Sequence, residues 1–183
     1  MLFRLEIQKG QQPARSPVRI LDAGCGTGLC GPLLRPMASQ LVGVDLSAGM
    51  LSRAHERQVY DELIVGELCA FMSDRIGAFD AVILADTLIY FGDLGLAFRA
   101  AHTTLPPGGL LAFAVESLGD TEPGPGYRLE LHGRYTHRAS YVEQSLRETG
   151  YALLTMDRMV IRRERNADVE GLAVLARKKT DGR

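Results

Sequence analysis

An aspartate and three glycines lie at the end of one apolar run, and a second aspartate lies at the end of the next. A short apolar run holds Asp22 and leads into Gly24, Gly26 and Gly28, and Asp45 closes a second apolar run further along. Glycine at such a turn lets the backbone bend tightly and lets a ligand approach where a Cβ would clash. A carboxylate at the tip of the next strand can accept hydrogen bonds from a ribose diol. The arrangement predicts a nucleoside-containing cofactor across the ends of two adjacent parallel strands.

The spacing of the glycines distinguishes between cofactors. Dinucleotide-binding chains use G-x-G-x-x-G to seat a pyrophosphate on a helix N-terminus, whereas this chain has G-x-G-x-G and no Gly-Lys-Ser/Thr after it. Asp22, two residues before the first glycine, would repel a pyrophosphate and attract an ammonium group. A ligand with a cationic amino-acid end, a ribose and adenine fits, and this describes S-adenosylmethionine. A dinucleotide oxidoreductase is the alternative that Asp22 disfavours.

These residues resemble the motifs of a known family. The segment from Asp22 to Gly28 is similar to motif I of the class I S-adenosylmethionine-dependent methyltransferases, and residues 42–51 are similar to their second motif. Residues 79–86 and 105–111 are similar to the fourth motif and to the turn into strand five. The resemblance covers residues 18–178. It implies a three-layer, Rossmann-like α/β fold whose seven-stranded, mostly parallel sheet has the order 3-2-1-4-5-7-6, with strand seven antiparallel.

Within this family the nearest likeness is to methyltransferase domains linked to tetratricopeptide repeats. It rests on residues 85–94 and on Tyr135-Thr136-His137. No such repeat occurs in this sequence.

The resemblance assigns roles at the cofactor. Asp22 would meet the methionine amino group, Asp45 the ribose hydroxyls, and Glu67 the adenine amino group. Two alternatives stay open: Asp45 could cap a helix, and Glu67 could be a solvated glutamate at a helix start. The predicted cofactor-binding residues are Asp22, Gly24, Cys25, Gly26, Gly28, Asp45, Leu46, Glu67, Leu68, Ala85 and Asp86.

The acceptor side offers candidates for a general base. A base is needed only if the methyl acceptor loses a proton during attack, because a sulfonium already carries a good leaving group. The predicted catalytic residues are His137 and Tyr135, with His132 and Glu116 close by in the chain or at a strand end. Histidine suits proton transfer near neutral pH. The competing interpretation of both histidines is a helix cap or an ordinary surface residue.

Apolar runs alternate with helical periods, which predicts βαβ units and a mostly parallel sheet. Two late runs predict an antiparallel hairpin, and Arg162 and Arg163 stand at its turn, where charge usually marks a solvated surface. The predicted strands are 18–23, 41–45, 62–66, 79–85, 109–115 and the hairpin strands 151–163 and 168–178, and the predicted helices are 28–38, 47–58, 93–105 and 138–149.

Composition and charge exclude several classes of protein. The chain has 183 residues, of which 46% are apolar, and a net charge of −1. We expect one domain over residues 18–180 after an N-terminal extension, residues 1–17. The balanced charge disfavours nucleic acid and anionic membranes as partners. No apolar run suits a membrane span and the first 17 residues lack a signal peptide, so we expect a cytoplasmic protein.

The three cysteines predict neither a disulfide nor a metal site, because their number and spacing suit neither. The sequence therefore predicts an enzyme that uses S-adenosyl-L-methionine, needs no metal, and methylates a small molecule. A protein methyltransferase and a cofactor-binding partner module without catalysis are the alternatives. The acceptor atom and the oligomeric state stay open.

Overall fold

One mixed β-sheet forms the centre of the molecule. The computed structural model describes residues 18–119, 124–164 and 167–180, and the N-terminal extension predicted at residues 1–17 lies outside them. The strands are β1 (Val18–Ala23), β2 (Ala38–Asp45), β3 (Glu62–Val65), β4 (Ala81–Leu84), β5 (Leu110–Ser117), β6 (Tyr127–Leu129), β7 (Tyr135–His137), β8 (Tyr151–Glu164) and β9 (Ala167–Lys178). The helices are α1 (Gly31–Leu34), α2 (Ala48–His55), α3 (Leu68–Ser73), α4 (Gly95–Thr104) and α5 (Ala139–Glu148), with 3-10 turns at Arg35–Met37 and Leu88–Tyr90.

The strand order confirms the predicted fold class. Strands β3, β2, β1, β4 and β5 lie side by side and parallel. Strand β9 pairs antiparallel with β5 along Leu110–Glu116, and β8 pairs antiparallel with β9. The C-terminal hairpin thus occupies the places of strands seven and six in the predicted order. Two further short strands were not predicted, so the sheet has nine strands within the described residues, where seven were expected.

Those two strands form a small hairpin at the carboxyl end of β5. Strands β6 and β7 pair with each other, and β7 pairs with β5 at only two positions, Glu116 with Thr136 and Ser117 with His137. Three-residue strands carry too little alternation to be recognised in a sequence. This hairpin places Tyr135 and His137 beside the end of β5.

The sheet is covered on both faces. Alternating residues of the central strands enter two hydrophobic cores, because successive side chains of a strand point to opposite faces. Leu21 and Phe113 belong to the larger core, which also contains buried residues of α3, α4 and α5. Ile20 and Ile83 belong to the smaller core, where Leu34 of α1 packs. The resulting three layers leave the carboxyl ends of the parallel strands free to build a site.

Two helix predictions differ from the structure. The helix expected at 28–38 is only four residues long and passes into a 3-10 turn that contains Pro36. Proline lacks the N–H that an α-helix would need there, which ends the regular helix early. Helix α3 was not predicted, because six residues are too few for a helical period to stand out.

The β8–β9 hairpin is longer than its contact with β5. Gly171 of β9 pairs with Glu116 near the end of β5, and both hairpin strands continue beyond that pair. We call the continuing part, Val160–Glu164 with Ala167–Glu170, the arm. A shift in the pairing between Val160 and Arg162 bends it. The arm therefore extends past the carboxyl edge of the sheet.

Candidate active site

Two of the three loop glycines are required by the protein's own packing. Gly24 and Gly28 both have φ of +75°, which favours glycine. A Cβ on Gly24 would lie 2.5 Å from the side chain of Thr87, and one on Gly28 would lie 2.9 Å from the ring of Tyr60. Close approach of a ligand is therefore not needed to explain these two glycines.

Gly26 is different, because a Cβ there would meet no clash. Its φ is +54°, and the nearest atom to a Cβ there would be the sulfur of Met50, at 3.8 Å. At Gly26 the packing leaves room for a side chain, and only the backbone conformation favours glycine. The prediction of close backbone approach thus narrows to this residue.

Asp45 ties this loop to the end of β2. One carboxylate oxygen accepts from the backbone N–H of Gly26 at 2.9 Å, and the other accepts from the N–H of Ser47 at 2.8 Å. The hydroxyl of Ser47 accepts from the N–H of Met50 at 3.2 Å, so Ser47, and not Asp45, caps α2. Each carboxylate oxygen keeps a further lone pair for a ribose hydroxyl. Asp45 is therefore held in place and still able to accept.

An apolar surface adjoins this carboxylate. Leu46 is 72% exposed and Met50 is 47% exposed, on either side of Ser47. Exposed apolar side chains beside a polar cleft are typical of ligand sites, where a flat apolar group covers them. Contact of Leu46 with an adenine ring stays a prediction.

Asp22 is the one carboxylate of β1, and it is buried. Only 1% of the residue is exposed, and the hydroxyl of Tyr60 donates to Oδ2 at 2.6 Å. Burial raises the pKa of Asp22 to about 6, against the lowering effect of the Tyr60 hydrogen bond, and the negative charge of Asp45 raises it further. A cationic group placed near Asp22 would offset this cost.

Sequence reasoning missed Tyr60. Its ring fills the space that side chains at Gly28, Gly31 and Gly43 would need, within 3.2 Å of each missing Cβ. No motif marks this tyrosine, which stands in the loop before β3. The sequence feature that could have indicated it is the presence of these three glycines, which together leave room for one large neighbouring side chain.

Cys25 and Cys30 are unreactive thiols at this loop. Burial is the main cause that raises the pKa of Cys25 to about 12 and that of Cys30 to about 11, and the charge of Asp22 adds to both. Both thiols are therefore protonated at neutral pH and serve as small packing groups. Cys25 lies where predicted, in the glycine loop, with its sulfur 2.9 Å from the missing Cβ of Gly43.

Glu67 and Leu68 begin helix α3. The Glu67 carboxylate accepts from the N–H of Cys69 at 2.9 Å and from that of Ala70 at 2.7 Å. Desolvation acts to raise its pKa, but these two donors outweigh it and lower the pKa. The helix-start interpretation therefore describes Glu67 in this structure, and contact with adenine stays a prediction. Leu68 is buried in the larger core.

The turn after β4 lies next to the glycine loop. Thr87 places its hydroxyl oxygen 3.1 Å from the carbonyls of Ala23 and Ala85 and 3.3 Å from that of Gly24. Asp86 precedes it with φ of +55°, a conformation that costs a non-glycine residue about 1 kcal/mol. The predicted Ala85–Asp86 wall is thus joined to the loop through Thr87.

Arg162 corrects a sequence expectation. It was predicted to be solvated at a hairpin turn together with Arg163, but its side chain is only 18% exposed. Its Nη1 donates to Asp86 at 2.7 Å and its Nη2 donates to the buried carboxylate of Glu116. Arg163 points the other way, with 80% of its side chain exposed, and pairs with Asp168 at 2.7 Å. Strand alternation separates the two, since neighbouring residues face opposite sides.

His137 is not placed to act as a general base. It is fully buried, with Nε2 3.1 Å from the carbonyl oxygen of Gly92, and its ring stacks on Tyr141 with centroids 6.0 Å apart. Burial is the main cause that lowers its pKa. A methyl acceptor would have no access to this ring, so the histidine packs the β6–β7 hairpin against Gly92. Its burial therefore counts against the role in proton transfer that its residue type suggested.

The other acceptor-side candidates are more open. Tyr135 is half-buried and meets Tyr127 edge to face at 6.1 Å. His132 has half of its side chain exposed, and its Nε2 lies 3.7 Å from Oε2 of Glu116. Within the described ranges, no group of three or more His, Cys, Asp or Glu side chains is arranged to hold a metal ion.

Known proteins resemble this chain in sequence. Residues 21–113, half of the chain, match a family model described as a methyltransferase domain. Among curated relatives, a malonyl-[acyl-carrier protein] O-methyltransferase of Yersinia pestis is 30% identical over 63% of this chain and 42% of its own length. A ubiquinone biosynthesis O-methyltransferase of a Chelativorans species is 29% identical over 89% of this chain and 72% of its own.

A third relative acts on RNA. An 18S rRNA (guanine-N(7))-methyltransferase of Bos taurus is 38% identical, but over only 39% of this chain and 25% of its own length. The chain thus spans less than half the length of the first relatives that it matches.

A solved structure shows the same fold. An S-adenosylmethionine-dependent methyltransferase of Methanosarcina mazei superimposes with a TM-score of 0.74 over 91% of this chain and 95% of that one, at 14% identity. The family match covers the glycine loop, Asp45 and the turn after β4. The chain belongs to the methyltransferase-domain family, among the class I S-adenosylmethionine-dependent methyltransferases.

Proposed function

We propose that this protein transfers the methyl group of S-adenosyl-L-methionine to a small-molecule acceptor. The observation that carries the proposal is that two carboxylates, Asp22 and Asp45, lie near the carboxyl ends of the adjacent parallel strands β1 and β2, and that Asp45 holds the glycine loop through the N–H of Gly26. One is buried and suited to an ammonium group, and the other is anchored and able to accept from a diol. Asp22, Gly26, Asp45 and Leu46 would hold the cofactor.

The cofactor supplies an electrophilic methyl group on a sulfonium, and the protein has mainly to align and enclose it. Displacement at such a methyl group is accelerated by near-attack geometry and by exclusion of water. In this chain the turn after β4 and the arm lie at the carboxyl ends of β4 and β5, where open α/β sheets bind ligands. These elements would orient the acceptor, and the burial of His137 is consistent with a reaction that does not depend on that residue as a base.

A small acceptor suits the charges of the chain. The net charge of −1 does not favour RNA as the acceptor, because RNA binding usually draws on an excess of positive charge. The rRNA-modifying relative matches only a minor part of the chain. Two of the relatives are named as O-methyltransferases, one of malonyl-[acyl-carrier protein] and one of ubiquinone biosynthesis. A protein acceptor is the alternative favoured by the resemblance to repeat-linked domains, a resemblance that stays a prediction.

A cytoplasmic location also stays a prediction. In the ranges that the structure covers, no helix combines the length and the hydrophobicity that crossing a bilayer would take.

Calorimetry with S-adenosylhomocysteine tests the cofactor assignment. Asp45→Ala is expected to weaken binding by about 1–3 kcal/mol, because charge-assisted hydrogen bonds are lost. Asp157→Ala, which removes an exposed carboxylate from β8, is the charge-matched control and should bind as the wild type does. Equal affinities of both variants would remove Asp45 from the site. Binding without methyl transfer to any acceptor in fractionated cell extract would favour a non-catalytic module.

A further inference from the structure

The arm brings the half-buried guanidinium of Arg162 to the carboxyl ends of β4 and β5. Arg162 lies on β8, an outer strand, yet its guanidinium reaches past β9 to the ends of both β5 and β4. Its third nitrogen, Nε, lies 3.5 Å from Glu164. All three nitrogens of one side chain therefore face carboxylates from three different elements.

Glu116 and Asp86, the two main partners of Arg162, each need a contact with a cation or a group that fixes them in place. Glu116 is 4% exposed, and a carboxylate removed from water in this way needs a paired cation. Asp86 is largely exposed but holds a left-handed backbone conformation, with φ of +55°. A non-glycine residue keeps that conformation only where its surroundings fix it. Arg162 is the group that meets both needs at once.

The contact continues from Asp86 into the cofactor loop. Thr87 follows Asp86 directly, its hydroxyl lies 3.1 Å from the carbonyl oxygen of Ala23, and its side chain fills the space over Gly24. A shift of the Asp86 backbone would therefore move Thr87 against the loop. This is a packed path from the arm to the first glycine of the motif.

The arm is itself tied to the acceptor-side hairpin. Arg134, in the connection between β6 and β7, donates to Glu164 at 2.5 Å and also contacts Tyr90. His132 of the same connection approaches Glu116. The titratable and charged groups around Arg162 are thus Asp86, Glu116, Glu164, Arg134 and His132, and they join the arm to three neighbouring segments.

We infer that Arg162 is a positioning residue: by joining Asp86 to Glu116 it fixes the turn after β4 against the arm, and so holds the Ala85–Asp86 wall and the glycine loop in their binding geometry. The effect on the cofactor rests on the proposed function. The effect on the turn does not, and this allows the two to be tested separately.

The experiment compares Arg162→Ala with Arg163→Ala. Arg163 is the matched control, since it is the same residue type on the same strand and faces solvent. Hydrogen–deuterium exchange of residues 84–91 and 23–28 reports the turn and the loop, and calorimetry with S-adenosylhomocysteine reports the site. For Arg162→Ala we expect faster exchange in both segments and an affinity weakened about threefold to tenfold, the factor for one or more lost hydrogen bonds. For Arg163→Ala we expect neither change.

Arg162→Lys provides a second test in case the alanine variant does not fold. Lysine keeps the charge beside Glu116 but has no planar fork to reach two carboxylates at once, so exchange of residues 84–91 should be faster than in the wild type and slower than in the alanine variant. Wild-type exchange in either Arg162 variant would overturn the inference. Faster exchange in a protein whose wild type binds no S-adenosylhomocysteine would support the role of Arg162 and refute the proposed function.

Discussion

The hydroxyl of Tyr60 donates a 2.6 Å hydrogen bond to the buried carboxylate of Asp22. The two residues are 38 positions apart and come together because the ring of Tyr60 lies against the glycine loop. The contact holds the first acid of the motif at the tip of β1. Its removal is the most direct probe of how that acid is kept in place.

Tyr60→Phe is expected to cost about 1 kcal/mol of unfolding free energy, since one hydrogen bond to a buried group is lost while the ring stays. The same change should raise the pKa of Asp22 above about 6, because the hydrogen bond lowers it. Urea unfolding at pH 7.5 measures the first effect. Tyr151→Phe is the control for loss of a tyrosine hydroxyl away from the site, since its hydroxyl donates to the carbonyl oxygen of Phe98; it should leave S-adenosylhomocysteine affinity unchanged, whereas Tyr60→Phe should weaken it.

The pH dependence of binding follows from Asp22. Its pKa in the folded protein is about 6, so it is ionised above that pH and protonated below it. A ligand with an ammonium group should therefore bind more weakly as the pH falls from 7.5 to 5. 5′-Methylthioadenosine, which lacks the amino-acid end, should show no such step. Equal pH profiles for that nucleoside and S-adenosylhomocysteine would separate Asp22 from the ammonium group.

Replacement of the loop glycines should separate stability from binding. Gly28→Ala forces a Cβ against Tyr60 and a left-handed backbone, and we expect a loss of about 2–3 kcal/mol in unfolding free energy. The new Cβ of Gly26→Ala meets no clash, so only the cost of its left-handed backbone, about 1 kcal/mol in unfolding free energy, applies. We expect the new methyl group to lie where a ligand would approach. The Gly26 variant should therefore be the more stable and the weaker binder. A Gly26→Ala protein with wild-type affinity would contradict this.

Leu46→Ser should affect binding and leave the fold intact. The side chain is 72% exposed, so its loss removes little packing in the free protein. Covering an adenine ring would bury it, and its absence should weaken S-adenosylhomocysteine by about 1–2 kcal/mol. Leu33→Ser is the control, because Leu33 is 69% exposed on α1. Thermal unfolding without ligand should be the same for both variants, and only the Leu46 variant should lose affinity.

The parallel half of the fold was predictable because its signals are local. Long apolar runs such as Leu41 to Asp45 and the glycine turn each lie within a few residues, and the structure contains them nearly where the sequence placed them. The β6–β7 hairpin and α3 were missed because each is too short for its period to be visible. Tertiary contacts, not propensity, decide that those segments are ordered.

The site was predictable in part for a related reason. Asp45 and Gly26 are marked by motifs, whereas Tyr60 and Arg162 reach the site from segments with no motif, through contacts across 38 and 76 positions. His137 failed as a candidate base because residue type indicates chemistry only for an accessible side chain. Alternation along β8 would have separated Arg162 from Arg163, had the hairpin register been known.

Strand β9 is synthesised well after β5, its neighbour in the sheet, and this order has a consequence for the newly made chain. Strand β5 lies in the interior of the finished sheet, but its partner on that side begins at Ala167, well after β5 ends at Ser117. Until then the apolar strand Leu110–Ser117 presents an unpaired edge, of the kind on which other chains can add and aggregate. Conditions that slow synthesis or docking of the C-terminal hairpin should therefore lower the yield of native protein more than they lower its final stability.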